Sequence, residues 1–326
     1  MNSSILNKFK GALLGFAVGD AIGVPVEFLK RETLLKKPIT EMIGYGSHNV
    51  PAGTWSDDTS LTIATIDSII DCKRIDYDDI MYKFNEWYDN AKYTATDRVF
   101  DIGISTSKAI SKFKNGLKPL ECGGNTLYEN GNGSLMRMLP FVFYLNLKDY
   151  DNDNIVKTIN DASSLTHAHP ISRLACNIYY DFVSLILKGC SKEVAYLELQ
   201  KKYDSGYYSM YFNDNAIDNF RNIFSGKLAE LKKDDIKSTG FVVDTLEACM
   251  WCILNTSSFE ESIINAVNLG DDTDTIGAIT GSMSGIIYGI DNIPKKWSDK
   301  LIKKEYLLDL AGNFEKDLDE YNLLKK

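Results

Sequence analysis

The chain has 326 residues, 44% of them hydrophobic and 25% charged, with a formal net charge of −9 at pH 7. That balance belongs to a soluble globular protein long enough to bury a sizeable core, and it excludes an intrinsically disordered chain. The acidic excess also argues against general nucleic-acid binding, which needs clustered lysine and arginine.

Apolar residues recur at helical rather than alternating spacing almost throughout, which predicts an all-α fold. The first helix is expected over residues 5–19. Its apolar run is broken by Gly11, Gly15 and Gly19 and meets Asp20, so it does not read as a signal peptide. A Gly- and Pro-punctuated loop, 23–55, leads to Ser56-Asp57-Asp58-Thr59 and a helix over 58–72. Helices over 78–90 and 102–115 precede a second long loop, 116–132, whose end, Gly131-Asn132-Gly133-Ser134, opens a helix over 133–145. Helices over 153–162, 168–188 and 191–203 follow, then an irregular Tyr- and Asn-rich stretch, 204–215. The remaining helices are expected over 215–231, 241–254, 259–268, 273–290 and 299–310. No linker or shift of composition marks a boundary, so residues 1–326 read as one domain. Six scattered cysteines suggest reduced thiols and a cytoplasmic setting. Cys249 and Cys252 have the spacing of a metal pair but lie inside a helical run without a second pair.

Two glycine ladders stand out: Gly11, Gly15, Gly19, and Gly277, Gly281, Gly285, Gly289. Each glycine costs a helix roughly 1 kcal/mol relative to alanine, so a stripe of them needs a compensating contact. Residues 275–290 are too short and polar to span a membrane, which leaves two central helices in close approach. On that reading the end of the first helix and the cluster Asp271-Asp272-Thr273-Asp274-Thr275 line one cleft.

Ser56-Asp57-Asp58-Thr59 and the 271–275 cluster each open a helix. Taken singly, each reads as a helix cap; together they carry more hard oxygen donors than capping needs. Carboxylates gathered in one cleft would be pushed up in pKa without a cation. A pair of Mg²⁺ ions, typically ~3.5–4 Å apart, would satisfy them; a single Mg²⁺ or Ca²⁺ is the alternative. Neither cluster has EF-hand spacing.

With these clusters, Gly19-Asp20-Ala21 and Glu27 within residues 15–28, Phe100-Asp101-Ile102-Gly103, the 131–137 run, Leu165-Thr166-His167-Ala168-His169-Pro170 and the 240–248 run, the chain resembles the ADP-ribosylglycohydrolases. The motifs occur in order over residues 11–298. The resemblance implies a compact, orthogonal multi-helix all-α fold with two Mg²⁺, Mn²⁺ being a substitute. The metal ligands would be Ser56, Asp57, Asp58, Asp272, Asp274 and Thr275, with Asp271 a neighbour. It further implies that Asp101 and Glu27 act in catalysis, Asp101 facing an arginine-linked substrate. Phe100, Asn132, Gly133, Ser134, Met136, His167, Gly240 and Phe241 would bind ADP-ribose, the 131–134 loop cradling its diphosphate and Phe241 stacking on adenine. From the residues alone, Asp101 reads as a cap for the helix over 102–115, and Phe241 reads equally well as a core aromatic. His167 and His169 read as structural. The expected activity is Mg²⁺-dependent cleavage of the N-glycosidic bond between ADP-ribose and arginine of a modified protein, releasing ADP-ribose, without membrane attachment. The alternatives are another ADP-ribose linkage (serine, a small molecule or nucleic acid) or a catalytically weak ADP-ribose-binding protein.

Overall fold

A computed structural model of the chain describes residues 8–147 and 150–323, so residues 5–7 of the first expected helix lie outside the described residues. In chain order the α-helices are α1 (Phe9–Gly23), α2 (Arg31–Lys36), α3 (Asp57–Cys72), α4 (Tyr77–Asn90), α5 (Ile104–Lys114), α6 (Leu139–Asn146), α7 (Asn152–Ser164) and α8 (Pro170–Leu187). They continue with α9 (Lys192–Asp204), α10 (Asp214–Ile217), α11 (Arg221–Phe224), α12 (Val242–Leu254), α13 (Phe259–Val267), α14 (Thr273–Tyr288), α15 (Lys295–Ser298) and α16 (Lys304–Leu323). Among the described residues there is no β-strand. Isolated bridges join Tyr45 to Val50, Gly124 to His167 and Gly131 to Phe241.

Helix α1 has no side-chain N-cap, and every residue in it except Lys10 is buried. Burial on all sides, rather than local capping, holds it. The stretch Phe9–Val26 is apolar and long enough to cross a membrane, yet 94% of it is buried inside the protein, where it serves as the central helix. Its partner is α14, running antiparallel. A Cβ on Gly11 would lie 2.8 Å from the Gly285 carbonyl oxygen, on Gly15 2.4 Å from that of Gly281, and on Gly19 2.0 Å from that of Gly277. The two backbones therefore touch, as the ladders predict. Gly23 extends the stripe, 2.3 Å from the Thr273 carbonyl oxygen by the same measure. Gly289 does not belong to it: with φ +82° and nothing within 4 Å of where a Cβ would lie, it ends α14.

Helices α8, α12 and α13 pack on α14, and α16 packs on α1 and α3. Buried apolar side chains from Phe9 to Leu318 form one core cluster. Four expectations need correction. The helix over 133–145 is a 3-10 turn, Asn132–Arg137, followed by α6, because Pro140 in the first turn lacks the N–H that continuation requires. The helix over 215–231 breaks into α10, α11 and 3-10 turns, the last set apart by Gly226 at φ +73°. The last helix starts at Lys304, after Lys303 at φ +52°, and α15 precedes it. The 23–55 loop holds the short helix α2.

Candidate active site

The antiparallel register carries the C-terminal end of α1 to the N-terminal end of α14, and α3 begins beside both. A carboxylate near a helix C-terminus faces the negative end of the dipole. Asp20, in that position, is fully buried and accepts hydrogen bonds from the N–H of Ser56 (2.9 Å), the N–H of Thr59 (3.1 Å) and Thr59 Oγ1 (2.6 Å). It thus finds its compensation at the positive end of α3. Burial still pushes it up to about 7. Ser56 caps α3 itself: its Oγ accepts the N–H of Asp58 at 3.2 Å and lies 3.3 Å from Asp58 Oδ2. At α14, Thr273 Oγ1 donates to the Gly23 carbonyl (2.8 Å), Asp274 Oδ1 accepts the N–H of Thr275 (2.9 Å), and Asp272 Oδ2 accepts from Asn132 Nδ2 (2.8 Å).

Three groups of side chains each bring their oxygen or nitrogen donors within 4.8 Å of one another: Asp20, Asp58 and Asp274; Glu27, Asp272 and Asp274; and Glu27, His48 and Asp101. Asp274 is common to the first two, and Glu27 to the last two. Burial, followed by repulsion from neighbouring carboxylates, pushes Asp57, Asp58 and Asp274 well above the usual range. Burial raises Asp272 as well, although hydrogen bonds from Asn132 and Thr275 oppose it. Burial and the charges of Asp101 and Asp272 push Glu27 up to about 11. Three of these carboxylate oxygens, Asp58 Oδ1, Asp272 Oδ1 and Asp274 Oδ2, are buried with no hydrogen-bond donor. The cavity that Asp272 lines, about 360 Å³, has no lysine or arginine in its lining. Buried acceptors without donors, in an all-oxygen set of raised carboxylates, fit a hard divalent cation.

A family model described as ADP-ribosylglycohydrolase matches residues 1–322. The chain belongs to this family. Among the relatives of this ADP-ribosylglycohydrolase is an ADP-ribosylarginine hydrolase Tri1 of Serratia proteamaculans, 35% identical over 95% of this chain and 79% of that protein. The Tri1 protein of Pseudomonas putida, with the same description, is 30% identical over 94% of this chain and 77% of its own length. A solved structure described as an ADP-ribosylglycohydrolase-related protein complex superposes with a TM-score of 0.80 at 27% identity, covering 97% of this chain and 99% of that one. The fold is therefore the multi-helix fold of the family, and the chain is an enzyme that reverses ADP-ribosylation.

The expected site residues of this glycohydrolase fall into distinct places. Asp57, Asp101, Glu27, Asn132, Gly133, Met136, His167, Gly240, Asp272 and Thr275 line the cavity. Asp58 and Asp274 lie beneath it, buried. Asp101 is not a helix cap: Gly103 holds the cap position, α5 starts at Ile104, and Asp101 itself has φ +55°. Asn132 is tied down, its amide donating to Thr245 Oγ1 (2.9 Å) and Asp272 and its N–H to the Gly240 carbonyl (3.0 Å). It orients Asp272, and its N–H is not free to cradle a diphosphate. Ser134 departs from expectation, being fully buried and bonded to Ser163 Oγ (3.0 Å), with Cys176 Sγ at 3.5 Å. Phe241 is half-buried against the core and does not line the cavity. Phe100 packs on His48, ring centres 5.1 Å apart. His167 is held neutral, burial lowering it to about 3, and His169 caps α8 through Nδ1 to the N–H of Ile171 (3.3 Å). Asp271 is exposed in the left-handed region (φ +58°), which aspartate tolerates better than most residues. Its backbone bonds Phe28 N–H (2.7 Å) and the Leu29 carbonyl (2.9 Å), so it clips the Glu27 segment to α14.

Two site residues escaped the sequence reading. Asp20 could be suspected as the lone acid in a wholly apolar helix. His48, in a Gly-rich loop, offers no such signal.

Proposed function

We propose that the cleft hydrolyses the N-glycosidic bond between ADP-ribose and an arginine side chain of a modified protein, releasing ADP-ribose. The observation that carries this reading is Asp101, placed at the cavity beside Glu27 in a lining free of lysine and arginine. The substrate carries a guanidinium, and the guanidine that leaves with the C–N bonding pair takes up a proton to become a guanidinium again. A planar guanidinium pairs well with a carboxylate, and a wall without competing cations favours it. The descriptions of the two Tri1 relatives as ADP-ribosylarginine hydrolases support the same choice.

Two Mg²⁺ ions, with Mn²⁺ as a substitute, fit the donor set: Asp20, Asp58 and Asp274 would hold one, and Glu27, Asp272 and Asp274 the other. Ser56, Asp57 and Thr275 lie close enough in sequence and in the cleft to complete the shells. When bound, the cations neutralise the carboxylates and offer coordination to ribose hydroxyls. Asn132 and the α3 and α14 N-termini orient the carboxylates. Glu27 takes a proton from the attacking water, and the surrounding acids stabilise positive charge developing at the anomeric carbon. Asp101 holds the substrate guanidinium, and the guanidine leaving with the C–N electron pair regains charge by accepting the proton that Glu27 took from water.

The reading is tested by ADP-ribose release from arginine- and serine-linked peptides with Mg²⁺ or EDTA. Release from the arginine peptide alone, abolished by EDTA, is expected. Preference for the serine peptide would overturn the linkage assignment.

A further inference from the structure

We propose that His48 is a positioning residue for this reaction: it fixes the Glu27 carboxylate beside Asp101. The inference rests on the roles given above to Glu27 and Asp101.

The 46–48 turn is seated on the segment that carries Glu27. Gly46 (φ +63°) leaves no room for a side chain, since a Cβ there would lie 1.8 Å from the Pro25 carbonyl oxygen. Ser47 Oγ donates to the Glu27 carbonyl at 2.5 Å, and the Tyr45 N–H donates to the Val50 carbonyl at 2.5 Å. These contacts already hold the loop to the backbone. The imidazole does something else. Its Nε2 is hydrogen-bonded to Glu27 Oε2 on the side chain, and the same nitrogen lies 3.9 Å from Asp101 Oδ1. When Glu27 is ionised, Nε2 is the donor to it. The ring is held between Phe28 and Phe100, with centroid separations of 6.1 and 5.1 Å. A donor packed against two aromatic rings restricts Glu27 to one rotamer beside Asp101.

The test measures kcat and KM for ADP-ribose release, on whichever linkage the wild type cleaves, together with Mn²⁺ affinity. His48→Ala is expected to lower kcat about 10- to 100-fold while KM stays within about threefold, and to weaken Mn²⁺ binding as well, since Glu27 is also placed among the cation donors. His48→Gln, which keeps an N–H donor near the Nε2 position, is expected to recover most of the loss. Added to Glu27→Gln, His48→Ala should lower kcat no further, because the group it acts through is already gone. The proposal is overturned by a kcat for His48→Ala within about threefold of wild type, by equal losses in the Ala and Gln variants, or by a full multiplicative loss in the double variant. An unfolded His48→Ala also overturns it, since the residue would then be a structural staple. Wild-type turnover of serine but not arginine peptides would refute the linkage reading and leave this comparison intact.

Discussion

Asp101 and Asn132 bound the chemistry from two sides, one facing the leaving group and the other the cations. Asp101→Asn removes the charge that would pair with the substrate guanidinium while leaving the carboxylates of the two cation groups in place. It should cut kcat on arginine-linked peptide by about 100-fold or more, with Mn²⁺ affinity unchanged. Normal turnover would return Asp101 to a purely structural role. Asn132→Ala takes away the amide that orients Asp272 Oδ2, and so acts through the metal. Cation affinity measured by calorimetry should fall about 10- to 100-fold. At this scale the sequence was legible wherever an acid sits at a helix start, as with Asp57, Asp58, Asp272 and Asp274. It marked Asp20 only as an acid in an apolar helix and was silent on His48, because their partners lie across the fold: Asp20 against Ser56 and Thr59, His48 against Glu27. Ser134 and Phe241 misled because a motif position says nothing about which way a side chain turns.

Helices α1 and α14 set the register on which the site depends. Their glycines are the compensation for the helix penalty: the backbones touch, and the end of α1 is locked beside the start of α14. Gly19→Ala would press a methyl to 2.0 Å from the Gly277 carbonyl, and Gly15→Ala to 2.4 Å from that of Gly281. Neither backbone can yield cheaply, so each substitution should cost about 2 kcal/mol or more. Thermal unfolding should show a midpoint lower by about 3 °C or more in each variant, and an unchanged midpoint would contradict the close-packed register. The ladder was readable because only a close approach explains glycine at every fourth position. Gly289 belongs to the same spacing yet is a helix stop, so periodicity alone does not separate contact from termination. The helices misplaced over 133–145 and 215–231 failed for a related reason: apolar spacing continues through Pro140 and up to Gly226, while the backbone does not.

For the whole molecule, the cleft makes stability depend on pH and on cation together. Without cation, Asp20 is raised to about 7 and Glu27 to about 11, with Asp57, Asp58, Asp272 and Asp274 also raised. The folded chain then holds protons that the unfolded chain releases near pH ~4. Such groups favour folding least at high pH: stability is lost as pH rises from ~4 through the folded value of Asp20 and onward toward that of Glu27. EDTA-treated protein should therefore melt at a lower temperature at pH 8 than at pH 5.5. Mg²⁺ at about 100 times its Kd should add about 2.7 kcal/mol, and the gain should be larger at pH 8, where fewer protons compete. Equal midpoints at both pH values, with no response to Mg²⁺, would mean that the carboxylates are not coupled to folding.

The central claim is that helix starts far apart in sequence meet to form one two-cation centre sharing Asp274. The most direct measurement is the number of Mn²⁺ ions retained per chain after equilibrium dialysis, by elemental analysis, for wild type and Asp274→Asn. The account predicts two ions for the wild type and fewer than one for the variant, because both groups use Asp274. A wild type that retains none, or a variant that keeps both, would contradict it.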